Sequence, residues 1–108
     1  MATIAVLGTL DTKGLEHGYV ADLIRKRGHQ TLIIDTGSGA VPTIAPDISR
    51  DEVAAAGGVD LKAVVARNDR GEAVAAMAGA AAALLEKLAA EGRIHGVISL
   101  GGGGSILS

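Results

Sequence analysis

The residues best equipped for chemistry are crowded into Gly8-Thr-Leu-Asp-Thr-Lys-Gly14. Thr9 and Thr12 offer hydroxyls, Asp11 a carboxylate and Lys13 an ammonium, with Gly8 and Gly14 flanking them. This stretch follows a short apolar run, Thr3-Ile-Ala-Val-Leu7, and precedes residues with helical spacing. A glycine turn between a buried strand and a helix is where open α/β sheets bind ligands. The helix start adds N–H groups and partial positive charge, which suits phosphate. On this basis Lys13 would neutralise phosphate charge, Thr9 and Thr12 would donate to its oxygens, and Asp11 would reach Mg2+ directly or through water. The spacing is neither that of a P-loop, since Lys13 precedes its glycine, nor GxGxxG. The plain alternatives are turn geometry for the glycines, a helix cap for Asp11 and a solvated Lys13. Four polar groups in five residues nevertheless exceed what a turn requires.

Two other loops invite the same scrutiny. Gln30-Thr-Leu-Ile-Ile-Asp35 reads as a second buried strand ended by an acid, with Gly37-Ser-Gly39 just beyond it. Asp35 stands where dinucleotide folds place the acid that holds a ribose hydroxyl. The third loop, Gly101-Gly102-Gly103-Gly104-Ser105, follows the run Ile94–Leu100. In a parallel sheet all three loops share the carboxyl edge and can converge on one ligand. Successive glycine N–H groups can then form an anion nest. The four glycines equally suit a flexible tail or linker.

The elements that must position these groups can be read from apolar spacing. Both opening strands are continuous apolar runs, as expected of strands covered on both faces. Between them a helix over about Gly14–Arg27 repeats Leu15, Tyr19, Val20, Leu23 and Ile24, with Gly28 as its stop. His17 is assigned to its solvent side. Strand, helix, strand makes a βαβ unit. Thr36–Ile48, with Pro42 and Pro46, reads as a long loop. Ser49 and Glu52 have capping-box spacing for a short helix that ends at Gly57-Gly58, and Asp60 can cap another through Ala66. Asn68-Asp69-Arg70-Gly71 reads as a turn before the longest helix, Glu72–Glu91. On that helix Val74, Met77, Ala81, Leu84 and Leu88 form the apolar stripe, and Gly92 ends it.

Composition narrows the function classes. The 108 residues suffice for one modest domain. Apolar content is 48 % but the only aromatic residue is Tyr19. That removes the stacking platforms on which single-stranded nucleic-acid binding relies. A net charge of −2 with interspersed signs provides no basic footprint for nucleic acid or an anionic membrane. There are no cysteines, so no disulfide or thiolate metal site, which fits a cytoplasmic location. The weakly polar run Ala73–Leu85 is too short to span a bilayer. The three histidines lack metal-ligand spacing, and no G-x-S-x-G elbow is present. No residue stands out as a general base or nucleophile, so whether the protein is an enzyme stays open.

Taken together, the loop Gly8–Gly14 after an N-terminal strand, Ala55 with Gly57-Gly58, Asp69-Arg70-Gly71 with Ala73–Met77, and the glycine loop after Val97-Ile98 form a joint pattern. In that order they resemble the N-terminal, ATP-binding domain of a largely uncharacterised microbial and plant family. Its best-known member is the tomato inhibitor of tobamovirus RNA replication. The resemblance covers essentially the whole chain. It implies a Rossmann-like region of a protein about four times longer with a second α/β domain. It also implies ATP bound with Mg2+ at the carboxyl edge of the sheet. In the family the glycine loop carries a threonine and runs into a helix, whereas here it reads Gly-Gly-Gly-Gly-Ser and stops three residues later.

The expected fold is therefore a three-layer α/β sandwich, a parallel sheet with helices on both faces, forming residues 1–108 of a nucleotide-binding domain. Three strands with helices part-way round would leave apolar sheet uncovered. An N-terminal piece of a longer protein is expected, or a domain completed by a partner chain. Expected ligands are ATP and Mg2+. Expected partners are a phosphorylated small molecule, a C-terminal domain and a second copy of the chain. The rival functions are a non-catalytic assembly module and an enzyme acting on a sugar phosphate or other small anion.

Overall fold

The computed structural model describes residues 2–39, 41–67 and 69–99, and of Arg70 the backbone alone. The Gly101–Ser105 loop and Asn68, both singled out above, lie outside the described residues. The chain runs β1 (Thr3–Gly8), α1 (Leu10–Lys26), β2 (Gln30–Asp35), α2 (Arg50–Ala56), α3 (Leu61–Ala66), α4 (Arg70–Ala90) and β3 (Gly96–Ser99). The strands form one parallel sheet in the order β2-β1-β3. Register runs from Thr3 opposite Gln30 to Gly8 opposite Asp35, and Leu7 stands opposite Ser99. The chain thus leaves β1 on one side and returns to pair on the other. The reversal places the topological switch point at the carboxyl end of β1.

β1 is apolar without alternation because each face meets its own helices. Ala5 and Leu7 pack with Ile34, Val53, Met77, Ala81 and Leu88 on the face covered by α2 and α4. Val6 packs with Leu10, Ala21 and Ile33 on the face covered by α1. The result is the three-layer α/β arrangement expected, with helices on both faces. The outer edge of β2 is closed by its own following loop. Asp47 Oδ2 accepts from Ile33 N at 2.7 Å, and Ile34 bridges Ile48. Such cover removes an open strand edge.

α1 departs from expectation in phase and in start. It begins at Leu10 with Thr9 as N-cap, and kinks at Lys13, whose φ and ψ are −124° and 22°. Leu10, Gly14, His17 and Ala21 are its buried residues. His17, assigned to solvent from the sequence, is instead fully buried. Leu15 and Tyr19, assigned to the packing stripe, are 73 % and 63 % exposed. Both stripes have helical period, so spacing alone does not choose between them. Closeness does: a Cβ on Gly8 would lie 2.9 Å from His17 Cδ2, so the imidazole occupies the room that glycine leaves over β1. Small residues at 14 and 21 let the helix lie close, and the bulky Leu15 and Tyr19 turn outward.

The other helices follow their caps. Ser49 Oγ accepts from Glu52 N at 3.2 Å, and Glu52 Oε1 accepts from Ser49 N at 3.3 Å, which completes the capping box of α2. Asp60 accepts from Ala63 N for α3, and Asp69 from Glu72 N for α4. Ser49→Ala is expected to lower stability by about 1 kcal/mol. Urea unfolding reads this, and an unchanged midpoint would show that this cap contributes nothing. α4 is 21 residues long. Over Gly71–Ala90 its mean hydropathy is 1.5, enough by length and composition to cross a membrane. In this fold the Met77, Ala80, Ala81, Leu84 and Leu88 face of the helix is buried in the core. The buried stripe is shifted from the expected one: Ala73 and Ala80 join it, and Val74 lies at its margin.

A candidate ligand cleft at the carboxyl edge of the sheet

The loops that leave β1 and β2 are tied together by backbone and side-chain bonds. Thr36 N donates to Gly8 O at 2.9 Å, joining the two strand ends. Asp35 is 1 % exposed. Its Oδ1 accepts from Gly37 N at 2.8 Å and, more weakly, from Leu10 N at 3.4 Å. Its Oδ2 pairs with Arg50 Nε at 3.0 Å, and Arg50 Nη1 donates to Gly39 O at 2.9 Å. Asp35 is thus engaged in holding α2 and the Gly37–Gly39 turn against the start of α1. Thr43 continues the fastening, giving both its N–H and its hydroxyl to Leu10 O at 2.9 Å.

Asp11 projects into this junction. A Cβ on Gly37 would lie 2.8 Å from its Oδ1, and one on Gly39 would lie 2.7 Å from its Oδ2. The same point above Gly37 is 3.0 Å from both Arg50 Nη2 and Asp35 Oδ1. Two carboxylates and one guanidinium therefore crowd around a glycine that leaves them room. Within that group Asp11 Oδ1 is buried and has no hydrogen-bond partner. A buried carboxylate oxygen without a donor is costly, on the order of 1–3 kcal/mol or more. A ligand or cation that supplies the missing partner would remove the cost.

A cleft of about 330 Å³ opens beside this group, with Thr9, Asp11, Thr12, Ser38 and Gly39 among its lining residues, together with residues of α3 and α4. Its size lies at the low end for small-ligand sites. Thr9 Oγ1 and Thr12 Oγ1 lie 3.0 Å apart at its polar wall. The N–H groups of Thr12 and Lys13 both donate to Thr9 O, at 3.2 and 2.8 Å. These two amides are spent on the first turn of the helix. Lys13 lies outside the lining of the cleft, its ammonium half exposed and 3.6 Å from Glu16 Oε2. Of the residues proposed from sequence, Gly8, Thr9, Asp11, Thr12 and Asp35 are thus brought to one junction, with Lys13 at its margin. The Gly101–Ser105 residues are outside the described part. β3 does run parallel beside β1, so its carboxyl end points to the same edge.

Three participants escaped the sequence reading. Arg50 stands at the start of α2, fifteen residues from the acid that it pairs, and no local spacing announces that contact. Thr43 sits in the Thr36–Ile48 loop, whose sequence stands out for its glycines and prolines and not for this threonine. His17 Nδ1 lies 2.7 Å from Lys13 O, so the imidazole braces the carbonyl at the kink of α1. The one available signal for Arg50 was a basic residue in the first turn of a helix, where acids are favoured.

Fold and cleft define the class: a parallel α/β domain with its candidate site at the switch point of the sheet. Sequence comparison gives the family. The profile of the N-terminal domain of UPF0261, an uncharacterised protein family, matches residues 2–107, and the chain belongs to that family. A UPF0261 protein of Clostridium tetani is 42 % identical over 101 residues, covering 94 % of this chain and 25 % of its own length. One from Rhizobium meliloti is 41 % identical over 104 residues, covering 96 % and 25 %. One from Brucella suis is 37 % identical over 99 residues, covering 92 % and 24 %. The chain spans about a quarter of the length of these relatives.

Proposed function

We propose that the cleft binds a phosphorylated nucleotide, ATP together with Mg2+, in the cytosol. The observation that carries this is the buried, partnerless Asp11 Oδ1 beside a polar cleft at the switch point. Among the described residues no three His, Cys, Asp or Glu side chains group as a metal cage. Mg2+ does not need one, because it is held through one or two carboxylates plus phosphate oxygens and water. Asp11 fits that requirement as a hard oxygen donor. Thr9, Thr12 and Ser38 supply hydroxyls to the phosphates, and Lys13 swings from Glu16 to add its charge. Binding is proposed, and no reaction is assigned.

The test is calorimetric titration of the chain with ATP, with and without Mg2+, alongside Asp11→Asn and Lys13→Ala. Wild type is expected to bind more tightly with Mg2+, and Asp11→Asn to lose that gain while keeping its fold. Lys13→Ala should weaken binding about ten-fold, one charge-assisted contact. An Asp11→Asn titration indistinguishable from wild type, with the Mg2+ gain intact, would sink the assignment.

A second reading, an assembly module, is favoured by the outward stripe of α1. Leu15, Tyr19 and Leu23 are 73 %, 63 % and 41 % exposed at four-residue spacing, and Val97 on β3 is 39 % exposed. Apolar surface of this kind suits a further domain of the same protein or a second copy. Sedimentation velocity separates the cases, and a strict monomer at high concentration argues against the second copy.

A further inference from the structure

The amino edge of the sheet, at the far end from Asp11, carries a hollow of about 610 Å³. It lies across the starts of β1 and β2, with Thr3, Gln30 and Thr31 in its lining. α1 and α4 cover opposite faces of the sheet and both end at this edge. Each sends an arginine to the hollow, Arg25 from the last turn of α1 and Arg93 from the turn after Gly92. His29 joins them, and among the described residues that line the hollow none is Asp or Glu. In a chain with 12 acidic and 10 basic residues that separation of charge needs a reason.

The plain reason is that cations near helix C-termini offset the helix dipole. It accounts for Lys26 and Lys87, which lie in the last turns of α1 and α4. Arg25 is engaged differently. Its Nε donates to Thr31 Oγ1 on β2 at 2.8 Å, and its Nη1 to Asp22 Oδ1 at 3.2 Å. Those bonds fix the guanidinium plane while using only part of its fork of donors. Arg93 N donates to Leu88 O at 2.9 Å, which sets the backbone from which the side chain extends. The guanidinium of Arg93 approaches Glu91 only to 3.9 Å, beyond hydrogen-bond distance. His29 Nδ1 accepts from Ala2 N at 3.1 Å, so the proton of the neutral ring sits on Nε2 as a donor. Three segments distant in sequence thus bring donors to one hollow, and the ligand that matches them is anionic.

We infer that this hollow is a second ligand site, for a small anion with two oxyanion groups, one paired with Arg25 and the other with Arg93. A guanidinium fork matches carboxylate and phosphate oxygens alike, so the shared chemistry is two such groups on a short spacer. Two arginines arriving from opposite faces of the sheet favour two groups over one, because a single group leaves one guanidinium unused. Leu32, half-buried in the same lining, gives the spacer an apolar contact. The site uses neither Asp11 nor a metal ion, so it stands apart from the nucleotide reading.

The experiment is calorimetric titration of the chain with succinate and with inorganic pyrophosphate, in EDTA at physiological ionic strength, with acetate as the single-group control. The better probe is expected to bind about ten-fold or more tightly than acetate, the gain from one further charge-assisted contact. Whether that probe is succinate or pyrophosphate tells a carboxylate ligand from a phosphate one. Arg25→Gln and Arg93→Gln should each bring it back to the acetate level. Lys26→Gln removes a neighbouring charge outside the lining, and Asp11→Asn alters the other cleft. Both should leave affinity within about two-fold, the scale of an exposed charge. Circular dichroism checks the folds, and the exposed Arg93 keeps the test independent of the tie from Arg25 to Thr31. Neither probe binding more tightly than acetate overturns the site. So does a loss from Lys26→Gln as large as that from Arg93→Gln, which would show diffuse charge alone. A matching loss from Asp11→Asn would place the anion in the other cleft and overturn it as well.

Discussion

Asp35→Ala is expected to destabilise the domain by about 3–5 kcal/mol, the usual consequence of stripping one partner from a buried ion pair. The side chains of Asp35 and Arg50 are 1 % and 14 % exposed, and their contact is 3.0 Å. Removing the carboxylate takes the 3.0 Å counter-charge away from the Nε of a guanidinium largely withdrawn from water. It also frees Gly37 N and Leu10 N, which Asp35 Oδ1 accepts at 2.8 and 3.4 Å. A second variant separates charge from architecture. Asp35→Ala with Arg50→Met removes both charges, and replacing a whole buried pair by apolar groups is often nearly neutral. Urea unfolding should therefore show a large loss for the single variant and substantial recovery for the double. Ligand binding should stay lost in both, because the bonds that shape the Gly37–Gly39 turn are gone. A single variant within about 1 kcal/mol of wild type, the range of an exposed pair, would show that the contact is not the clasp between β2 and α2.

Gly57→Ala is expected to be the other severe change, about 3 kcal/mol, at the upper end of the range for overpacking. Gly57 has φ −94°, which alanine adopts readily, so backbone strain is not the cause. The added Cβ would fall on the backbone of α4 at Ala80, and would lie 2.6 Å from Ala80 Cβ. A helix backbone cannot swing aside as a flexible side chain can. α2 and α4 would have to separate, opening the cluster of Val53, Ala54, Met77, Ala80 and Ala81. For a domain of this size the loss corresponds to a fall in Tm on the order of 15 °C. Gly79→Ala provides the opposite sign on the same helix. Nothing lies within 4 Å of its Cβ position, so alanine should stabilise α4 by about 0.5–1 kcal/mol through helix propensity alone. Thermal melts of the two variants that moved in the same direction would contradict the packing account.

Much of the fold was legible along the chain because the relevant forces act locally or through period. β2 coincides with the apolar run Gln30–Asp35, and β1 extends the expected run by Gly8 alone. Continuous apolar character marks a strand covered on both faces wherever its covers come from. Ser49 with Glu52, and Asp60 alone, mark helix starts because the capping bonds span only three residues. Gly28 and Gly92 mark helix ends because each takes a positive φ, 88° and 73°. The convergence of the first two loops also follows from sequence once the strands are parallel.

Tertiary packing decided which face of α1 is buried, and with it the fate of His17. Leu15-Tyr19-Leu23 and Leu10-Gly14-His17-Ala21 repeat with the same helical period. Hydrophobicity favours the first stripe, but the close seat over Gly8 and beside Thr43 accepts only the second. The tie from Asp35 to Arg50 was equally invisible, since it spans a loop whose path is set by bonds to Leu10, Ile33 and Gly8. That path brings Gly37 and Gly39 against Asp11, and leaves Asp11 Oδ1 buried without a donor. From its sequence this protein is a parallel α/β domain with a polar loop after its first strand, because strand pairing and capping are short-range. Which carboxylate is spent on structure and which keeps a buried oxygen without a donor depends on contacts between segments distant in sequence, and only the folded chain makes them.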